Sequence, residues 1–137
     1  MLDLDGVIVP GKAAGGISFG SAVTEFLSLN HPQSTTQLAD AEEHDFQAIK
    51  LWAKNGIVTQ IGVYSGYRGI LESAIRIGST IADIEDCFAF SVEEDEADNL
   101  IVPNSPGWCF ETQAWGDPKT VANNRNARIV AIFVFKP

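Results

Sequence analysis

The chain of 137 residues sets 18 acidic against nine basic side chains, a net charge of −9, and is 45% hydrophobic. One domain of this size buries its core without disulfides or a structural metal, and the charge opposes nucleic acid and anionic membranes while favouring basic partners. No apolar run reaches the roughly 18 to 20 residues of a membrane helix, and the N-terminus lacks a basic segment followed by a long apolar one; a single cytoplasmic domain over residues 1–137 is expected.

In chain order, Val7, Ile8 and Val9 predict a short strand, flanked by Asp3 and Asp5 as solvated residues. Residues 16–21 read as an extended segment ending at Gly20, with Ser21 placed to cap a helix. Val23, Phe26 and Leu27 recur at helical spacing, Glu25 lies in the first turn, and Pro32 marks the latest end of that helix. Residues 30–41, rich in Ser, Thr, Gln and Asn, predict a surface loop. The sharpest local signal is a hairpin: residues 46–53, then Lys54-Asn55-Gly56, then residues 57–64. Asn-Gly supplies the two positive-φ positions of a type I′ turn.

The pattern then returns. Ile75, Ile77, Gly78, Ser79, Ile81, Asp83 and Ile84 match Ile17, Phe19, Gly20, Ser21, Val23, Glu25 and Phe26 at constant offset, and residues 129–135 echo residues 58–64. Two tandem halves, about 15–65 and 73–136, are the expectation, each a capped helix followed by antiparallel strands. Residues 100–102 and 108–111 read as strands separated by a turn-forming set at 103–107, and residues 117–126 as a polar loop. The fold class is α+β: an antiparallel sheet with short capped helices.

Leu2-Asp3-Leu4-Asp5-Gly6-Val7-Ile8 resembles the nucleophile motif of haloacid-dehalogenase-type phosphatases, in which the first Asp attacks phosphorus, the second is acid and base, and Mg²⁺ assists. Ser65 after the apolar run at 61–64 fits that family's phosphate-binding serine. That nucleophile, however, ends a buried parallel strand, and only Met1 and Leu2 precede Asp3. The Asn-Gly hairpin and the scarcity of long helices also oppose parallel crossovers. Other catalytic constellations are weaker. His31 and His44 lack metal-ligand spacing and read as surface or capping residues, and no GxSxG elbow or phosphate loop is present. The oxygen-rich residues 93–99 lack the glycine and distal Glu of an EF-hand, so neither a metal nor a cofactor is expected. Cys87 and Cys109 form no CxxC pair and read as small buried apolar residues, with a disulfide between them as the alternative.

Residues 77–118 contain no Lys or Arg but ten acids. Such self-repulsion is relieved by a basic partner, although an acidic loop can equally be only solvated. Large aromatic residues stand close by: Trp108 and Trp115 bracket Glu111, while Tyr64 and Tyr67 end the hairpin. Trp and Tyr are common interface anchors, Trp108 within its strand fitting a core role and Trp115 an exposed one. The expected core of the stretch is Ile81, Ile84, Phe88 and Phe110, leaving Glu93, Glu94, Asp95, Glu96, Asp98, Glu111 and Trp115, together with Tyr67, as the candidate partner-binding residues.

The series Ile61-Gly62-Val63-Tyr64, Tyr67-Arg68-Gly69, residues 75–84, residues 93–99, residues 106–111 and Ile132-Phe133-Val134-Phe135 resembles small bacterial immunity proteins encoded beside polymorphic or contact-dependent growth inhibition toxins. The repeated helix-and-sheet unit is also similar in outline to the tandem-repeat β-lactamase inhibitor protein. The resemblance implies a stoichiometric inhibitor, not an enzyme, bound to a toxin domain, commonly a nuclease whose basic face an acidic protein can occupy. It implies no direct contact with nucleic acid. An acidic adaptor for another protein partner is the alternative, and a phosphatase using Asp3 and Asp5 a more distant one.

Overall fold

In the computed structural model, which describes residues 2–96, 99–113 and 125–137, the chain opens with two tiny strands, β1 (Ala13–Ala14) and β2 (Ile17–Ser18). Gly15 and Gly16, at φ 64° and 77°, form the turn between them. The strand expected at 7–9 is reduced to single bridges, Ile8 with Leu71 and Val9 with Ala13. Helix α1 (Thr24–Leu27) is a single turn, and its N-cap is Val23 without a side-chain hydrogen bond. Ser21 is therefore no cap; its carbonyl instead accepts the Val58 amide at 3.0 Å.

The segment expected as a loop at 30–41 contains β3 (Ser34–Gln37), which pairs with β4 (Glu42–Asp45). All four residues of β3 are exposed, so this edge strand carries no apolar alternation by which to be read. The first hairpin strand starts later than expected, as β5 (Ile49–Lys54), because Phe46 and Gln47 turn the chain between β4 and β5. The Gln47 amide donates to Asp45 Oδ1 at 2.7 Å, closing that turn. β6 (Ile57–Val63) follows Asn55 and Gly56 at φ 52° and 78°, the type I′ geometry that the dipeptide predicts.

Helix α2 (Ile81–Phe88) is the longer helix. Thr80 caps it, not Ser79: Thr80 Oγ1 accepts the Asp83 amide at 3.1 Å and Asp83 Oδ2 accepts the Thr80 amide at 2.9 Å, a capping box with an Asp in the acidic position. Ser79 Oγ is occupied by the Arg76 amide. Short strands β7 (Glu93–Glu94) and β8 (Leu100–Ile101) lead to β9 (Trp108–Thr112) and β10 (Ile129–Phe135), the last with the bounds expected from sequence. Of the polar loop expected at 117–126, residues 117–124 lie outside the described residues.

The sheet is antiparallel throughout, in the order β3-β4-β5-β6-β10-β9-β8-β7, and with the two short helices among the described residues it makes an α+β fold dominated by strands. Its central seam joins distant segments: Ile132 opposes Val63, and Phe133 opposes Gly62. One face carries Ile49, Leu51, Ile61, Val63, Trp108, Phe110, Ile132 and Val134 into a core closed by Ile8, Ile17, Leu71, Ile75, Ile81 and Ile84. Trp108 and Phe110 are core, as expected, and Phe88 packs at the margin. His44, expected as a surface or capping residue, is instead 3% exposed between Thr35 Oγ1 and Glu42 Oε2, each 3.1 Å from a ring nitrogen. Both cysteines are free; Cys109 is buried as expected but Cys87 is exposed, on the outer side of α2. Among the described residues no helix is long and apolar enough to cross a membrane.

Candidate functional site

Strand residues that alternate with the core set project from the opposite face of the sheet, which no helix among the described residues covers. These are Lys50 and Trp52 on β5, Gln60 and Gly62 on β6, Phe133 and Phe135 on β10, and Cys109 and Glu111 on β9, with Tyr64 just beyond β6. They line a shallow depression of about 510 Å³. The centre of this face rests on Gly62. A Cβ there would lie 3.1 Å from Phe133 Cδ1 and 3.0 Å from Tyr64 Oη, so the missing side chain lets both rings fold over the sheet. Phe133 thereby meets Trp52 and Tyr64 edge-on, with centroids 6.1 and 5.9 Å away. All three aromatic residues remain partly exposed.

Charge surrounds the rings unevenly. Lys50 Nζ lies 5.7 Å from the Trp52 ring and 5.5 Å from the Tyr64 ring, and pairs with Glu43 at 3.0 Å. Burial, then Glu111, Glu43 and Asp45, hold the Tyr64 hydroxyl well above its ordinary range. Burial also raises the Glu111 carboxyl, against a smaller opposing pull from Lys50. The Cys109 thiol is pushed up to about 12 by burial, with Asp95 and Glu111 adding to it. A thiol so protonated is a poor nucleophile at neutral pH. The face offers aromatic surface and carboxylates: equipment for binding.

Of the residues predicted from sequence that are described, Glu111 alone reaches the middle of this face. Glu93 and Glu94 are exposed on the far edge strand β7, and Glu96 is exposed in the turn after it. Asp95 closes the β7–β8 hairpin: its backbone amide donates to Asn99 O and its Oδ1 accepts the Asn99 amide, both at 2.9 Å. Asp98 and Trp115 lie outside the described residues. Tyr67 must be withdrawn as a surface anchor. It is 4% exposed, and its hydroxyl donates to Gly6 O while accepting the Gly15 amide at 2.8 Å, which stitches the N-terminal segment onto the core. Trp52, Phe133, Lys50 and Glu43 were missed, although the spacings Lys50-x-Trp52 and Phe133-x-Phe135 carry the strand alternation that places them.

The Asp3–Asp5 motif has a different setting from the phosphatase one. Asp3 Oδ1 accepts the Asp5 amide at 2.9 Å within a turn, and Asp5 pairs with Arg68 at 2.7 Å on the exposed surface. The Arg68 hydrogen bond holds the Asp5 carboxyl below its usual range. Neither Asp stands at a strand end, and the adjoining sheet is antiparallel. Among the described residues no three His, Cys, Asp or Glu side chains gather closely enough to hold a metal ion. Comparison with protein-family models, with curated proteins and with solved structures returns no match for this chain.

Proposed function

We propose that the protein is a stoichiometric inhibitor, an immunity protein that neutralises a bacterial toxin domain by occupying it. The observation that carries this reading is the sheet face that no helix among the described residues covers, with Trp52, Phe133 and Tyr64 at its centre and carboxylates around them, on a chain of net charge −9. An aromatic centre supplies contact area at low entropic cost, and an acidic surround speeds encounter with a basic protein. A toxin nuclease presents such a basic surface because its substrate is a polyanion. The cytoplasm, where such a toxin acts, is the compartment this reading assigns.

Support for two related halves comes from matched backbone bonds. Gly20 N to Val58 O, Val58 N to Ser21 O and Val23 N to Gly56 O measure 3.3, 3.0 and 2.8 Å. Gly78 N to Ile129 O, Ile129 N to Ser79 O and Ile81 N to Ala127 O measure 2.9, 2.8 and 3.1 Å, at the same offsets as the sequence match. The strand order reads outward from the β6–β10 seam as two runs of four, which a tandem duplication accounts for. Doubling a four-stranded unit widens one sheet face enough to cover a partner domain.

The deciding experiment is to sequence the flanking genes and co-express the protein with any toxin domain encoded there, scored by growth and by co-purification at one-to-one stoichiometry. Rescue with a stable complex is expected; growth arrest with no complex overturns the reading.

A further inference from the structure

The centre of this face has an unbalanced charge that the described residues only partly answer. Around the Tyr64 hydroxyl stand Glu111, Glu43 and Asp45. Lys50 answers Glu43, at 3.0 Å, and both side chains of that pair are 24% exposed. Glu111 is different: half-buried beside Tyr64, Phe133 and Cys109, its carboxylate makes no hydrogen bond or ion pair within the described residues. A carboxylate kept partly out of water without a donor is costly, and that cost is recovered when a cation arrives.

The aromatic side of the same depression already accommodates a cation, since Lys50 lies 5.7 and 5.5 Å from the Trp52 and Tyr64 rings. The Phe133 side, next to Glu111, has no such occupant among the described residues. We propose that this position receives an arginine side chain from the basic protein partner, its guanidinium laid on the Phe133 ring, which stands edge-on to Tyr64, with Glu111 as counter-ion. Arginine fits better than lysine because its planar, weakly hydrated fork stacks on rings while holding a carboxylate through two N–H groups. The inference deepens the inhibitor reading and rests on it for the partner being a protein. It also moves the principal contact from the exposed Glu93–Glu96 run to the sheet interior, where partial desolvation strengthens an ion pair relative to one in bulk water.

The test uses acetyl-tetra-arginine-amide as probe, titrated at low salt into the full ¹⁵N-labelled chain and followed by NMR. Expected are shifts at the Trp52 indole and at the amides of Gly62, Glu111 and Phe133, with acetyl-tetra-lysine-amide binding more weakly. Glu111→Gln should weaken binding roughly fivefold, whereas the double variant Glu93→Gln, Glu94→Gln stays within about twofold of the parent. Lys50→Met, which removes the neighbouring cation, should tighten binding, and this keeps the test decisive if Glu111→Gln misfolds. Shifts confined to residues 93–96, no shifts at all, or binding indifferent to both Glu111→Gln and Lys50→Met overturn the proposal. Glu111-dependent peptide binding without toxin rescue would retire the immunity reading and leave this site standing; rescue without such binding does the reverse.

Discussion

Replacing Tyr67 by Phe removes one oxygen and should cost far more than a surface change. The hydroxyl serves two backbone groups, donating to Gly6 O and accepting the Gly15 amide, in a residue that is 4% exposed. The phenylalanine ring fills the same space but offers neither bond. A buried backbone group left without a partner costs about 1–3 kcal/mol, so two such groups with partial relaxation give about 2–4 kcal/mol. For a domain of this size that corresponds to a fall in Tm of about 6–16 °C. Urea unfolding followed by tryptophan fluorescence, together with calorimetry, measures both quantities. A loss below about 0.5 kcal/mol would refute the assignment of Tyr67 as a buried tie, since a surface substitution lies within that range. The variant, where folded, should bind a toxin partner at the parental rate, because the side chain is buried and its hydroxyl is turned onto Gly6 and Gly15.

Thr80→Ala removes one half of the α2 capping box and should destabilise the protein by about 1 kcal/mol, measured by urea unfolding, with Thr80→Ser recovering most of the loss. Native protein should react with one equivalent of a thiol reagent such as dithionitrobenzoate, at the exposed Cys87; Cys109, buried and raised to about 12, should react only after unfolding. Two fast equivalents in the native state would contradict that placement. Because burial raises Glu111 above its unfolded value, the folded chain holds this proton more tightly than the unfolded chain. Its contribution is therefore favourable at low pH and is lost as pH rises through the folded pKa. Glu111→Gln should flatten that part of the stability profile and match or exceed the parent's stability at neutral pH; a steeper fall with rising pH in the variant would reverse the sign.

The Asn55-Gly56 turn, the bounds of β10 and the core roles of Ile81, Ile84, Trp108 and Phe110 were all legible from sequence. Each depends on information within a few residues: a dipeptide that tolerates positive φ, or a run with its own apolar alternation. The helix near Val23 was legible too, but its cap was misplaced, because serine beside a glycine serves a strand-to-turn bridge as readily as a helix end. β3 was invisible for the opposite reason: an all-exposed edge strand of Ser, Thr and Gln buries nothing.

The candidate site was only half readable. Sequence located the carboxylates by their lack of neighbouring bases and selected Glu111 among them, but it gave equal weight to Glu93 through Glu96 and to Tyr67. Tertiary structure separated these residues by pairing β6 with β10 across some seventy positions, with Gly62 opposite Phe133 and Val63 opposite Ile132. That register decides which aromatic rings share a face with Glu111 and sends Tyr67 into the core. Local turn chemistry and period-two patterning determine where strands form. Which strands become neighbours is fixed by the burial of the whole apolar set at once, so the aromatic face that carries Glu111 exists only after the core has closed.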